Sequence, residues 1–364
     1  MSRYFYYITF INMVTSMTAS MPKILLMERD GGAIVSILVS VPIGLVVCYL
    51  IGRFYQNYPG KGLPELMDDY IPKWIKLPFL FIIGVVWFVA GLLSVVMYSF
   101  FIKRFLAPNA NLTYIVSMIL LFIYYGALMK SKKILYILEL IFIFTVPFIM
   151  LLIFKGFTTD YFEIDYVMVA VMHIQNYPTY DSICAASFIF WGPANLIIFN
   201  QVLTKKQEMS WKSVVIIGLF GAGVLLTSYF SPIGLLGFEN VGTVINPGIT
   251  ASDTLQFRYG IIERVLFVVL TLFLAITFAS MLTHWHVALE VLKNVIYFEK
   301  FQWKKHNLTS HLFLVLFWII SLRVVTYLSE YQLVKYTSYF YNLFPALLTV
   351  MFLLFWMIRR RAKA

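Results

Sequence analysis

The chain has 364 residues, 61% hydrophobic and 18% aromatic, with a net charge of +11. Only 12% of residues are charged, against roughly 25% in soluble proteins, and a mean hydropathy of +0.84 leaves too little polar surface to cover a water-soluble globule. Disorder, a nucleic-acid module and a cytosolic enzyme are excluded: the chain belongs in a lipid bilayer, and its basic residues sit in short segments between apolar runs, where Lys and Arg set topology instead of binding polyanions.

The first apolar stretch runs from Tyr4 to Met27, after Arg3, and contains Thr18-Ala19-Ser20, which resembles a cleavage site. Its length suits a span of about 20 residues better than a signal core of about 7–15, so it reads as an uncleaved first transmembrane helix. Nine further apolar runs follow, giving ten candidate spans over 4–27, 32–52, 77–102, 112–129, 134–154, 182–203, 213–230, 261–283, 310–328 and 336–358. Between them, Leu63–Tyr70 reads as a short interfacial helix. The segment 155–181 reads as an acidic loop, and 231–260 as a loop rich in Gly, Pro and Asn. No composition shift separates a soluble domain, so 1–364 reads as one membrane domain. Cys48 and Cys184 lie in apolar runs without redox or zinc spacing, as small hydrophobes do.

An even number of spans puts both termini on one side. Of the 28 Lys and Arg residues, 19 fall on the side of the termini and 9 on the other, so the positive-inside rule makes both termini cytoplasmic. Ten spans divide as five plus five (about 4–155 and 182–358), and an odd number in each half makes the repeat inverted. Corresponding spans then share an interruption, Ser16-Met17-Thr18-Ala19-Ser20-Met21-Pro22 in span 1 and Trp191-Gly192-Pro193-Ala194-Asn195 in span 6. Pro removes a backbone donor and Gly weakens a helix. Opened backbone at membrane depth is tolerated only where it is buried or lines a cavity, and transporters place their substrates between such helices.

The candidate ligand-binding residues are therefore Thr18, Ser20 and Met21 with Trp191, Gly192 and Asn195, completed by Trp87, Ser94 and Tyr98 in span 3 and by Thr277 and Ser280 in span 8. Hydroxyls and amides beside opened backbone orient a small zwitterion, and Met21 and Trp191 supply apolar contact. Against this stands ordinary packing, in which Ser and Thr join helices and Pro and Gly only kink them. Glu139, about two turns into span 5, is a possible proton or charge relay, or folds back to pair with Lys133. His284 and His286 are two apart and point to opposite faces of a helix, so with Glu290 they make no metal site, and no metal or other cofactor is expected. No nucleophile elbow, phosphate loop or zinc signature appears, and no catalysis is expected.

Tyr58-Pro59-Gly60-Lys61-Gly62-Leu63 resembles an FPGK-x-L stretch of the spore germination permeases, and Ile262-Glu263-Arg264 resembles their ER signature. One departure stands in span 6, where the family pattern Phe-x-Gly-x-Glu meets Phe190-Trp191-Gly192-Pro193-Ala194 and the acid is absent. The resemblance implies an all-α polytopic membrane protein of the amino acid–polyamine–organocation superfamily, a LeuT-like five-plus-five inverted repeat with discontinuous helices 1 and 6. It also implies the nutrient-sensing B subunit of an endospore germinant receptor, taking an amino-acid-like ligand in the spore inner membrane beside A and C subunits. A proton-coupled amino-acid transporter of the same fold is the alternative, and a membrane scaffold that binds nothing is a third reading.

Overall fold

The computed structural model describes residues 2–205, 208–256, 264–298, 301–303 and 306–362. Ile262, Glu263, Lys206 and the chain end at Ala364 lie outside the described residues.

The described chain is almost wholly helical. The first span is two helices, α1 (Arg3–Ser16) and α2 (Met21–Met27), and α3 (Ala33–Gln56) and α4 (Leu63–Tyr70) follow. Next come α5 (Lys73–Phe101), which ends in a wide π turn over Ile102–Leu106, α6 (Leu112–Ala127), α7 (Ser131–Phe157) and α8 (Ile164–Met172). The sixth span is α9 (Tyr180–Phe188), a 3-10 stretch over Ile189–Asn195, and α10 (Leu196–Phe199). Beyond it stand α11 (Trp211–Leu236), α12 (Phe238–Val241), α13 (Pro247–Asp253), α14 (Val265–Lys293), α15 (Thr309–Tyr327), α16 (Glu330–Asn342) and α17 (Phe344–Arg361). A two-residue ladder between β1 (Gln302–Trp303) and β2 (His306–Asn307) closes the turn before α15.

Among the described residues, eight helical segments are long and apolar enough to cross a bilayer. The broken first span and α6 are the two expected spans that fall short of that length. Three further expectations need correction. The expected loop 231–260 starts late, because α11 runs on through Pro232 to Leu236. The lost backbone bond is offset by burial of Pro232, Ile233 and Gly234, and a Cβ on Gly234 would meet the Phe162 ring at 2.2 Å. The acidic loop 155–181 contains α8, whose residues are mostly exposed and apolar. The last span is interrupted at Leu343, where Pro345 opens α17, a first-turn position that costs no helical hydrogen bond.

The sixth span differs most. Its Gly-Pro interruption does not open the helix; it winds it more tightly, into i→i+3 pairing over Ile189–Asn195. Pro193 has no N–H to give Phe190 O, three residues back, and side chains of other helices bond to this carbonyl and its neighbours. Asn12 Nδ2 donates to Phe188 O at 3.3 Å and Ile189 O at 3.0 Å, and Cys48 Sγ donates to Phe190 O at 3.2 Å. Phe190 itself fills a slot between Gly44 of α3 and Gly221 of α11, where a Cβ would stand 2.1 Å and 2.5 Å from the ring.

The Tyr58–Leu63 stretch clamps the far end of this span. Asn200 Nδ2 donates to Tyr58 O (2.8 Å) and Lys61 O (2.7 Å), Gly60 N–H donates to Leu203 O (3.0 Å), and Gln201 Nε2 donates to Glu65 Oε1 (2.8 Å). Gly60 sits at φ +79°, a conformation that favours glycine. Lys61 pairs with Asp69 of α4 at 2.6 Å, and this hydrogen bond raises the Lys61 ammonium above its ordinary value. Asn200→Ala strands Lys61 O, at about 1–3 kcal/mol, while Tyr58 O keeps the Lys61 N–H. The melting temperature of the purified protein should fall by roughly 1–4 °C, whereas exposed Asn109→Ala should leave it unchanged. Equal melting of the two variants would refute the clamp.

Candidate functional site

The break in the first span makes a cavity. Met17, Thr18 and Ala19 each donate a backbone N–H three residues back, to Val14, Thr15 and Ser16. These tight turns aim small side chains sideways into the bundle, and α5, α9, α14 and α16 supply the other walls. About 560 Å³ of unfilled space lies there, counting the part that opens to the outside.

Of the residues singled out from sequence, the structure brings Thr18, Ser20, Ser94, Tyr98, Thr277 and Ser280 to this cavity. Thr18 Oγ1 donates to Thr15 O at 3.0 Å and lies 3.4 Å from Thr277 Oγ1, which joins α1 to α14 across the break. Ser94 donates to Ala90 O at 3.1 Å, and the Tyr98 hydroxyl donates to Leu270 O.

The structure keeps five others off it. Met21 is buried in the core beyond the break. Trp191 is wedged edge-on against Phe344 at 4.4 Å and lies 6.0 Å from Trp87. Trp87 Nε1 donates to Asn195 Oδ1 at 2.7 Å, and Asn195 Nδ2 donates to Gly192 O at 3.0 Å, so this pair holds the 3-10 stretch in place. Asn195 lines only a narrow cleft that shares Asn12, Ser280 and His284 with the cavity. Gly192 packs on α1, and a Cβ there would stand 2.6 Å from Thr9 Cα and 2.8 Å from Ile8 O. Glu139 pairs with Arg3 at 3.2 Å, not with Lys133.

The residue that sequence reading passed over is His284. Its Nδ1 lies 2.7 Å from Ser280 O, and a carbonyl only accepts, so Nδ1 carries the proton and Nε2 presents a lone pair. That Nε2 is buried without a partner, and so is Ser20 Oγ; both residues line the cavity. Buried polar atoms are paired in the great majority of cases, so these two leave hydrogen-bonding capacity open on one cavity. No Asp, Glu, Lys or Arg lines it among the described residues, and Phe188, Phe340 and Met97 give it an apolar side. The sequence signal was available: His284 stands four residues after Ser280, on the same helical face.

A family model described as spore germination protein matches residues 2–329. The chain belongs to the spore germination permease family. None of the curated proteins matches it. The matched stretch of this spore germination permease carries the break in the first span, the 3-10 stretch and His284, whereas the wall made by Thr337, Phe340 and Tyr341 of α16 lies beyond it. As a member of that family with eight candidate membrane-spanning segments, the protein is an integral, multi-pass membrane protein.

Proposed function

We propose that this permease is the nutrient-sensing B subunit of a germinant receptor, and that it holds a compact amino-acid-like ligand in the cavity at the break of the first span. One observation carries the reading: Ser20 Oγ and His284 Nε2 are buried and unpartnered on the same cavity. A small amine or amide N–H meets the Nε2 lone pair, and the serine hydroxyl either donates or accepts. The absence of a lining charge favours a neutral or zwitterionic ligand over an ion. Adding the α1–α2 pair and α6 to the eight longer segments gives ten crossings. On that reading the chain is a five-plus-five inverted repeat with both termini cytoplasmic, in the spore inner membrane, working with A and C subunits and performing no catalytic step. Glu139, held by Arg3, then contributes an ion pair at the rim, not a relay.

The test is germination of a strain lacking this chain, complemented with it and challenged with single L-amino acids, alongside uptake of the same labelled amino acids into vesicles. Ligand-dependent germination without accumulation is expected. Accumulation against a proton gradient would make it a transporter, and germination independent of the chain would overturn the receptor reading.

A further inference from the structure

A second cavity, about 650 Å³ counting the space that opens to the outside, lies across the break from the first, and the two share Thr18. Its walls come from the C-terminal halves of α7 and α11, from α13, and from the first turns of α14. Its polar character is the reverse of the first. Thr18, Thr227, Ser228 and Ser252 each donate to a carbonyl three or four residues back, at 3.0, 2.8, 2.6 and 2.7 Å. One hydroxyl remains, Ser231, which makes no hydrogen bond to the described residues and faces the notch left by Gly156. A Cβ on Gly156 would stand 3.7 Å from Ser231 Oγ and 3.8 Å from Leu255 Cδ1, both ordinary contacts. Everything else is aliphatic or aromatic, chiefly Ile149, Ile153, Leu255 and Phe273.

A zwitterion entering this space sheds its hydration and finds one hydroxyl in return, at a cost of several kcal/mol. An aliphatic chain loses nothing and removes apolar surface from water, at about 0.8 kcal/mol per CH₂. We propose that this cavity binds an aliphatic chain bearing one small uncharged hydrogen-bonding group, the chain between α7 and α14 and the polar end at Ser231. The site is independent of the ligand assigned to the first cavity. Because Met17 and Thr18 form part of its wall, its occupant braces the break from the opposite side.

The free alcohol and the acyl chain of a lipid share this chemistry, and two photoreactive probes separate them. One is 1-octanol carrying a chain diazirine; the other is a phosphatidylglycerol with a diazirine in its acyl chain. Each is crosslinked to the full chain in nanodiscs, and adducts are mapped by peptide mass spectrometry. Saturable adducts are expected on 149–156, 227–235 and 248–255, competed by unlabelled 1-octanol. Gly156→Leu, which fills the notch, should cut them roughly ten-fold, and Ser231→Ala should weaken octanol labelling about five-fold through one lost hydrogen bond. Gly156→Ala fits without clash and should label normally. Saturable labelling by octanol alone identifies a free alcohol, and by the lipid alone an acyl chain. If neither probe saturates, or adducts fall instead on exposed lipid-facing residues such as Leu140 and Phe144, the proposal is overturned. Adducts that persist in both Gly156→Leu and Ser231→Ala would also overturn it.

Discussion

His284→Leu should abolish the response to the amino-acid-like ligand proposed for the first cavity while leaving the amount of membrane-inserted protein near normal. The ring is nearly fully buried, and its Nδ1–H is used on Ser280 O, so leucine removes one internal bond and the unpartnered Nε2 acceptor. Ser280 O keeps its backbone N–H donor within α14 when Nδ1 is lost, so folding is little affected, but a ligand N–H left buried without its acceptor costs about 1–3 kcal/mol. Affinity should therefore fall roughly 5- to 150-fold. His284→Gln keeps an acceptor at similar reach and should retain part of the response. Ser20→Val tests the second orphan and should weaken the same response by at least a similar factor, since valine removes the hydroxyl and adds a methyl group to the wall. Isothermal titration of the purified chain with the most effective L-amino acid measures all three. Wild-type affinity in both His284→Leu and Ser20→Val would move the ligand out of this cavity.

Sequence patterning reached the membrane class and the break in the first span for a simple reason. Apolar runs and the Ser-Met-Thr-Ala-Ser-Met-Pro segment are local signals, and the structure places α1 and α2 on either side of that segment. It also placed α4, where Pro64 and Glu65 open a short amphipathic helix. Helix ends were less legible because a proline was read as a stop. Pro232 lies within α11, where packing on Phe162 outweighs the lost donor. Pro193 lies in a 3-10 stretch whose carbonyls are bonded by Asn12 and Cys48, residues distant in sequence. That long-range pairing also decides which candidates reach the cavity. Ser20 and Thr277 face it because a break and a straight helix present them there, whereas Trp87 and Asn195 turn to each other. His284 was set aside because metal chemistry was asked of it, and its actual distinction, a tautomer fixed by Ser280 O, depends on a distance and not on spacing.

Gly192→Val should lower the amount of folded protein in the membrane several-fold, and ligand response should fall in step with abundance. Matched interruptions in two spans suggest that a side chain at Gly192 would block a ligand, but the structure gives it a different neighbour. A Cβ at this position meets Thr9 Cα at 2.6 Å and Ile8 O at 2.8 Å, and these are backbone atoms of α1, which cannot rotate away. The helices must separate, and separation draws Asn12 from Phe188 O and Ile189 O, leaving its buried amide without acceptors. Overpacking of this kind costs about 1–3 kcal/mol, and the stranded Asn12 amide adds about 1–3 kcal/mol more. Even Gly192→Ala should show a measurable part of the loss. Gly223→Ala is the control, since nothing lies within 4 Å of a Cβ there and alanine favours the helix by about 1 kcal/mol. Immunoblots of membrane fractions, read beside the ligand response of the same cells, separate packing from binding. A Gly192→Val protein present at normal level yet silent to ligand would place Gly192 on the ligand after all, and would require the 3-10 stretch to open when the ligand binds.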